Sequence, residues 1–193
     1  MPIVTSPEYN AIGPAEAIAR ELHADQYYYG TGFDFVDYHL TPSVRTIRGL
    51  GSDAADEAVF WLHDTVEDTG ATLGYLEERG FPQAIVAAVD CLTIRPDESD
   101  ESNMQRVLVH PGASRLKIVD AERNLIATQE LQSTMNPEDY HNCIRKYAGK
   151  LILLAGRSFD HNLTLPWSAY IQTRAAFARK ALHELYIDEG IAA

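Results

Sequence analysis

The segment from Leu62 to Thr69 concentrates side chains that can bind a metal ion or move a proton. It reads Leu-His-Asp-Thr-Val-Glu-Asp-Thr, so Glu67 follows His63 by four residues and Asp68 follows Asp64 by four. In a continuing helix, each of these pairs would share a face. The carboxylates would then crowd at a helix C-terminus, where the helix dipole disfavours negative charge. A divalent cation bound there would replace this repulsion by attraction.

Two positions elsewhere in the chain extend the segment to a ligand set. Asp120 ends the run Leu-Lys-Ile-Val at residues 116–119, and a carboxylate entering a buried helix face usually has a partner. His39 closes an aromatic loop just before an expected helix. The candidate metal ligands are His39, His63, Asp64 and Asp120. This set of nitrogen and oxygen atoms suits Mn, Fe, Co or Zn and leaves coordination positions for water.

The elements that must position these residues are predicted to be helices, because apolar residues recur mainly at helical spacing. A Gly- and Tyr-rich loop is expected at residues 27–38, and a polar, acidic loop at residues 96–102. No composition shift marks a boundary, so residues 1–193 are predicted to form a single all-α domain. The predicted helices cover about residues 14–25, 41–49, 53–62, 72–79, 82–92, 103–109, 113–131, 137–155 and 166–190.

The charge balance limits the partners of the chain. Sixteen Lys and Arg residues against 28 Asp and Glu residues give a net charge of −12. Non-specific binding to nucleic-acid backbone or to an anionic membrane needs a basic face, so neither partner is expected. Two interpretations of the acidity stay open: it keeps the protein soluble, or some carboxylates gather around a cation.

The location is predicted to be cytoplasmic. The first residues, Met-Pro-Ile-Val-Thr-Ser, contain neither a basic start nor an apolar run, and no apolar stretch is long enough to span a bilayer. Cys91 and Cys143 are expected to be reduced thiols, since a chain of this size does not need disulfides to fold.

Two motifs give the chain a resemblance to the HD-domain metal-dependent phosphohydrolases, and within them to the RelA/SpoT-type and small alarmone hydrolases. The first is the 62–69 segment. The second is Lys-Ile-Val-Asp-Ala-Glu-Arg-Asn-Leu at 117–125, similar to the family's Lys-Leu-Ala-Asp-x-x-x-Asn-Leu. A weaker match is His23-Ala-Asp-Gln26, followed by His39. The resemblance covers roughly residues 17–131, with the C-terminal helices at 137–190 beyond the core motifs, and it implies an all-α HD-domain helical bundle.

The resemblance also implies an activity and a role for each motif residue. The activity is removal of the 3′-pyrophosphate from ppGpp or pppGpp by metal-activated water. One divalent ion, preferentially Mn²⁺, would be bound by His39, His63, Asp64 and Asp120. Glu67 and Asp68 would orient and deprotonate the attacking water. Predicted contacts to the nucleotide substrate are Asn124, Lys117 and Tyr147, and the alternative for Lys117 is a partner role for the acidic turn.

The sequence differs from the family shortly after the first helix, where the family usually has Arg and Lys. Tyr28 and Tyr29 occupy these positions. A tyrosine can stack on a base, and both are predicted to bind substrate, but neither supplies the charge of an arginine. An alternative is that they only pack the loop. His23 is expected to be a structural helix residue.

Two other functions therefore stay open. One is a phosphohydrolase that acts on a different nucleotide or an NADPH-like substrate, and the other is a nucleotide-sensing module with little turnover. A homo-oligomer is also compatible with the sequence.

Overall fold

A computed structural model describes residues 11–156 and 164–191 of the chain. The chain divides into two compact units, Met1–Lys117 and Ile118–Ala193, and the division falls within one helix. In the described ranges the regular structure is helical, and the strand-like pairing is one isolated bridge between Tyr27 and Asp34. The prediction of an all-α protein is confirmed. The single domain and the absence of an N-terminal leader, whose residues lie outside the described range, stay predictions.

The first unit contains most of the short helices. They are α1 (Ile12–Leu22), α2 (Thr41–Gly49), α3 (Ala54–Leu62), α4 (Thr65–Asp68), α5 (Leu73–Glu78), α6 (Gln83–Leu92), α7 (Asp100–Val109) and the start of α8 (Pro111–Glu130). A 3₁₀ turn at Tyr28–Gly30 and a π-helical segment at Val36–Leu40 lie between α1 and α2.

Helix α3 is the core of the first unit. Its residues from Ala55 to Leu62 are all buried, and α1, α2 and α6 pack against it. Its start is fixed by Asp53, whose carboxylate accepts the backbone N–H groups of Ala55 and Asp56 at 3.0 and 2.9 Å. Such a cap satisfies N–H groups that have no partner within the helix. The helix therefore holds the residue that comes after it, His63, at a fixed place in the core.

The π-helical segment carries His39 into the same core. Its closing bond runs from the N–H of Thr41 to the carbonyl of Val36, five residues earlier. Pro42 follows at once and has no N–H, so it cannot make the usual helical bond to the carbonyl of Tyr38. The sequence predicted a loop up to residue 38, whereas the chain is already helical from Val36 and continues directly into α2.

The acidic segment before α7 differs from its prediction. A loop was expected up to residue 102, but α7 begins at Asp100. The Oγ of Ser99 accepts the N–H of Ser102 at 3.1 Å, and Asp100 and Glu101 lie in the first turn, where the helix dipole favours acids. Part of the predicted loop is therefore a capped helix start.

The second unit contains the rest of α8, a 3₁₀ turn at Gln132–Thr134, α9 (Pro137–Ala155) and α10 (Leu165–Asp188). Helices α9 and α10 pack against each other. Glu122 of α8 accepts hydrogen bonds from Tyr170 and Arg174 of α10, which fastens α10 to α8. Among the described helices, none has the length and apolar character needed to cross a membrane.

Candidate metal centre

Two buried histidines converge in the first unit. His39 comes from the π-helical segment, and His63 caps the C-terminus of α3. Each is 1% exposed, and the nitrogen atoms that they offer as ligands lie within 4.8 Å of each other. One metal ion can bind both rings only if their nitrogens come this close, so the pair meets the first requirement of a metal site.

The hydrogen bonding of His63 prepares it as a ligand. Its Nδ1 lies 2.7 Å from the carbonyl oxygen of Phe60. A carbonyl only accepts hydrogen bonds, so Nδ1 carries the proton and Nε2 of the neutral ring carries the lone pair. Metal-binding histidines usually have their second nitrogen held in this way, which fixes both the tautomer and the ring orientation.

Asp64 brings a carboxylate to the same place. Its Oδ2 lies 3.1 Å from Nε2 of His63 and 3.6 Å from Nε2 of His39. With Nδ1 of His63 protonated, its Nε2 and the Asp64 oxygen are both acceptors, so a cation between them would be favoured. The donor set therefore fits a divalent cation, which would meet two imidazole nitrogens and a carboxylate oxygen.

Two further carboxylates lie on α4, directly after this group. Glu67 Oε2 accepts the backbone N–H of Ile94 at 2.9 Å, and Asp68 Oδ2 accepts the side-chain N–H of Gln26 at 3.3 Å. Both residues are exposed, yet the surrounding protein removes enough water from the carboxylates to raise the pKa of each, and the nearby charge of Asp64 raises it further. A carboxylate with a raised pKa is a better proton acceptor for a metal-bound water.

Lys117 moderates this acidic turn. It is 8% exposed, and its positive charge lowers the pKa of Glu67, which partly offsets the effect of burial. Two roles are expected for this lysine from the resemblance, a contact to substrate anions and a partner for the acidic turn. The electrostatic effect on Glu67 supports the second, and the contact to substrate stays a prediction.

The predicted tyrosines lie in different environments. Tyr28 is 3% exposed, and its ring stacks on His39 with centroids 5.8 Å apart. Phe35 stacks on His39 as well, at 5.3 Å, so the loop residues form an aromatic packing around this ligand. Tyr29 exposes about half of its surface, 48%, and has a positive φ of 45°. Tyr28 thus packs the loop, and substrate binding by either tyrosine stays a prediction.

The remaining predicted residues belong to the second unit. Asp120 is 5% exposed, and Asn124, one turn later on α8, donates from Nδ2 to its Oδ1 at 2.7 Å. This bond holds the Asp120 carboxylate in one orientation. Tyr147 lies on α9, with the ammonium group of Lys146 at 5.5 Å from its ring centroid. The roles predicted for these three residues as ligand and substrate contacts stay predictions.

Sequence reasoning missed the groups that hold the candidate site in place. The carbonyl of Phe60 and the N–H of Ile94 are backbone atoms, which no side-chain pattern identifies. Gln26 was noted only as part of a weak match, although its contact with Asp68 is a direct one. The signal that could have found it is the polar residue three positions after the buried His23.

Comparison with known proteins gives one result on the fold. No protein-family model matches the chain, and no curated protein matches it by sequence. A solved structure described as a metazoan orthologue of SpoT that hydrolyses ppGpp and plays a role in starvation responses matches with a TM-score of 0.62. The match has 19% sequence identity and covers 89% of this chain and 98% of that chain.

The fold is the all-α HD helical bundle. This confirms the fold expected from the motifs, since the structural match extends over most of both chains. The match shows the fold, and the buried histidine pair fits a metal ion.

Proposed function

We propose that the protein is a metal-dependent phosphohydrolase that removes the 3′-pyrophosphate from ppGpp or pppGpp. The observation that carries the proposal is the convergence of His39, His63 and Asp64, with Glu67 and Asp68 directly after them. The two motifs and the HD fold support the choice of an alarmone as substrate. Mn²⁺ is the proposed ion.

Asp120 is proposed as a further ligand of the same ion, beside His39, His63 and Asp64. The support for this role is a buried carboxylate whose orientation is held by Asn124. A protein rarely buries a carboxylate unless it is paired or binds a metal. A divalent ion held there would lower the pKa of a bound water toward neutrality.

The protein groups then divide the remaining work. Glu67 has one oxygen held by the N–H of Ile94, so its other oxygen is proposed to accept the proton of the attacking water. Asp68 is proposed to orient that water. The charge of Lys117, with Asn124 and Tyr147, is proposed to stabilise the phosphate groups and ribose, and Tyr29 to stack on the base.

Pyrophosphate release from ppGpp by the purified protein with Mn²⁺ tests the proposal. We expect release by the parent protein, almost none by Asp64→Ala, and strongly reduced release by Glu67→Ala. Glu78→Ala, an exposed acid on α5, is the matched control and keeps the parent rate. No release by the parent protein would reject the alarmone as substrate, and activity that survives Asp64→Ala would reject the metal mechanism.

A less charged nucleotide, such as an NADPH-like substrate, is the second candidate. It is favoured by the tyrosines at the two positions where the family has cations. A surface cavity of about 500 Å³ beside Asp68 is also lined by Glu21 and Asp25, which would repel phosphate groups. A substrate panel with a much higher rate on NADPH or simple nucleotides than on ppGpp would favour this candidate. Tight ppGpp binding without turnover would instead indicate a sensing module.

The proposed partner is therefore a small nucleotide, and the proposed location is the cytoplasm. The net charge of −12 supports the absence of nucleic-acid and membrane partners. A gel-shift assay and a liposome sedimentation assay, each expected to give no binding at physiological salt, test these two exclusions. Size-exclusion chromatography with light scattering tests for a homo-oligomer.

A further inference from the structure

We propose that His23 and Gln26 form a chain of hydrogen bonds that positions the carboxylate of Asp68 for the reaction. This inference rests on the proposed function, because it assigns positioning residues to the same site. His23 was expected to be only a structural residue of the first helix. The chain is instead directed from the core to a carboxylate of the candidate site.

The first link joins His23 to Gln26. His23 is fully buried at the C-terminus of α1, with its ring 4.7 Å from that of Phe35. Its Nδ1 lies 2.5 Å from Oε1 of Gln26. An amide oxygen only accepts, so His23 donates from Nδ1.

The second link joins Gln26 to Asp68. The amide nitrogen of Gln26 lies 3.3 Å from Oδ2 of Asp68 and donates to it. The opposite orientation of the amide is excluded by chemistry, because Oε1 would then face a carboxylate that also only accepts. The Asp68 end therefore fixes the amide orientation, and Oε1 is then left to accept from Nδ1 of His23, so the protons are directed from His23 toward Asp68.

The backbone of Gln26 is fastened as firmly as its side chain. Its N–H donates to the carbonyl of His23, and its carbonyl accepts the N–H of Phe35, both at 3.0 Å. The N–H of Asp68 donates to the carbonyl of Asp64 at 2.8 Å, which ties Asp68 to a candidate ligand residue. The amide group thus starts from a fixed backbone and ends on a carboxylate whose own backbone is fixed to the site.

The choice of groups suits positioning rather than core packing. An imidazole without a hydrogen bond is costly to bury, and an apolar side chain would fill the same space beside Phe35. The amide of Gln26 holds one oxygen of Asp68 and leaves the other oxygen to orient the water. Glu67 is held in the same manner, by the neutral N–H of Ile94.

Steady-state kinetics with ppGpp and Mn²⁺ give the first test. Correct orientation of a reacting group contributes strongly to a rate, and loss of the Asp68 position should lower kcat about tenfold for Gln26→Ala, with KM unchanged. Gln26→Glu keeps an acceptor for His23 but cannot donate to Asp68, so it should lose as much. The double variant Gln26→Ala/Asp68→Ala should be no slower than Asp68→Ala, because Gln26 acts through Asp68.

Nuclear magnetic resonance of the metal-free protein gives a test that does not depend on activity. The side-chain amide protons of Gln26 should shift in both Asp68→Ala and His23→Phe, where Phe keeps the ring packing. Glu78→Ala, an exposed acid on α5 that does not line this cavity, is the control and should leave both the amide signals and kcat unchanged.

The outcomes separate this proposal from the proposed function. A parent protein that releases no pyrophosphate rejects the function, while a Gln26 amide that shifts in both variants still supports the chain. If the amide proton signals of Gln26 do not shift in Asp68→Ala, the proposed hydrogen-bond chain is overturned, whether or not the protein is active. An active parent whose Gln26→Ala variant keeps full kcat, even with a lower melting temperature, also overturns it, since His23 and Gln26 would then serve only the fold.

Discussion

Acidic residues lie at both ends of helix α3, but their partners differ between the two ends. At the N-terminal end, Asp56 forms an ion pair with Arg115 and Glu57 forms one with Arg48. These acids lie in the first turn, where the helix dipole also favours them. The charge at this end is balanced within the protein.

At the C-terminal end, the acids come after the helix, where the dipole opposes them. Glu67 and Asp68 accept hydrogen bonds from a backbone N–H and from an amide rather than from a guanidinium. Asp64 lies against the two histidines. Buried acids at one end of α3 are thus paired with arginines of other helices, whereas the acids at the other end are those proposed to face a cation. Four experiments test this contrast.

Removal of Asp64 should have the largest effect. It should lower the activity without lowering the stability of the metal-free protein. Loss of metal-centred stabilisation of several kcal/mol corresponds to a fall of roughly 10³-fold in pyrophosphate release by Asp64→Ala. Stability of the metal-free protein should stay the same or rise, because a like charge leaves a crowded acidic group. Chemical unfolding without metal measures this. Glu57→Ala is the control from the other end and should lose stability while it keeps its rate, so similar stability losses in both variants would contradict the contrast.

Removal of Arg115 should destabilise the protein in a pH-dependent way. Burial raises the pKa of Asp56 to about 6, against the opposing attraction of Arg115. This folded-state pKa lies above the unfolded value, so the contribution of Asp56 to stability is complete below about pH 4 and declines as the pH rises through 6. Arg115→Met leaves a buried carboxylate without that attraction and should cost about 3 kcal/mol at pH 8, but less at pH 5, where Asp56 is protonated.

Urea unfolding at the two pH values measures the effect of Arg115→Met. Arg48→Met is the matched control, because Arg48 keeps 58% of its side chain exposed and should cost less at both pH values. Equal losses for Arg115→Met at pH 5 and pH 8 would show that Asp56 does not titrate as proposed.

Mn²⁺ at a concentration a hundredfold above its dissociation constant should raise the free energy of unfolding of the parent protein by about 2.7 kcal/mol. The shift in melting temperature measures this without any substrate. It should disappear in His63→Ala and persist in Glu57→Ala, since only one end of α3 is proposed to bind the ion. A shift that survives His63→Ala would place the metal elsewhere.

Loss of the α3 cap should have the smallest effect. Asp53→Ala removes the acceptor for two backbone N–H groups and should cost about 1 kcal/mol in the free energy of unfolding. Asp53→Asn keeps an acceptor at the cap and should retain most of the stability. Neither variant should change kcat, so a slower Asp53→Asn would indicate that the two ends of α3 are coupled.

The sequence predicted the helices well where start signals are strong. Residues Thr41–Gly49 and Pro137–Ala155 are helical as expected, since each begins with a proline in its first turn. The π-helical segment was not predicted, because its bond pattern depends on how the chain packs around His39. The start of α7 was placed too late, since the acids of its first turn were interpreted as a loop.

The sequence predicted the residue types of the candidate site better than the contacts among them. Side-chain spacing identified His63 and Asp64, and the structure brings them to His39. The sequence could not show that Tyr28 is buried against His39, because an aromatic run is equally compatible with an exposed surface on which a base stacks. Spacing also gave no access to backbone donors and acceptors, on which the orientation of His63 and Glu67 depends.

The π-helical segment makes the direction of His39 depend on residue count. Its bond from Thr41 to Val36 encloses one residue more than an α-helical turn would. Deletion of a single residue there, such as Asp37, would let the segment relax to an ordinary α-helical turn, in which the His39 side chain would no longer have the direction that the wider turn gives it. Insertions and deletions between α1 and α2 should therefore be tolerated in the exposed turn around Gly32 but not between Val36 and Thr41.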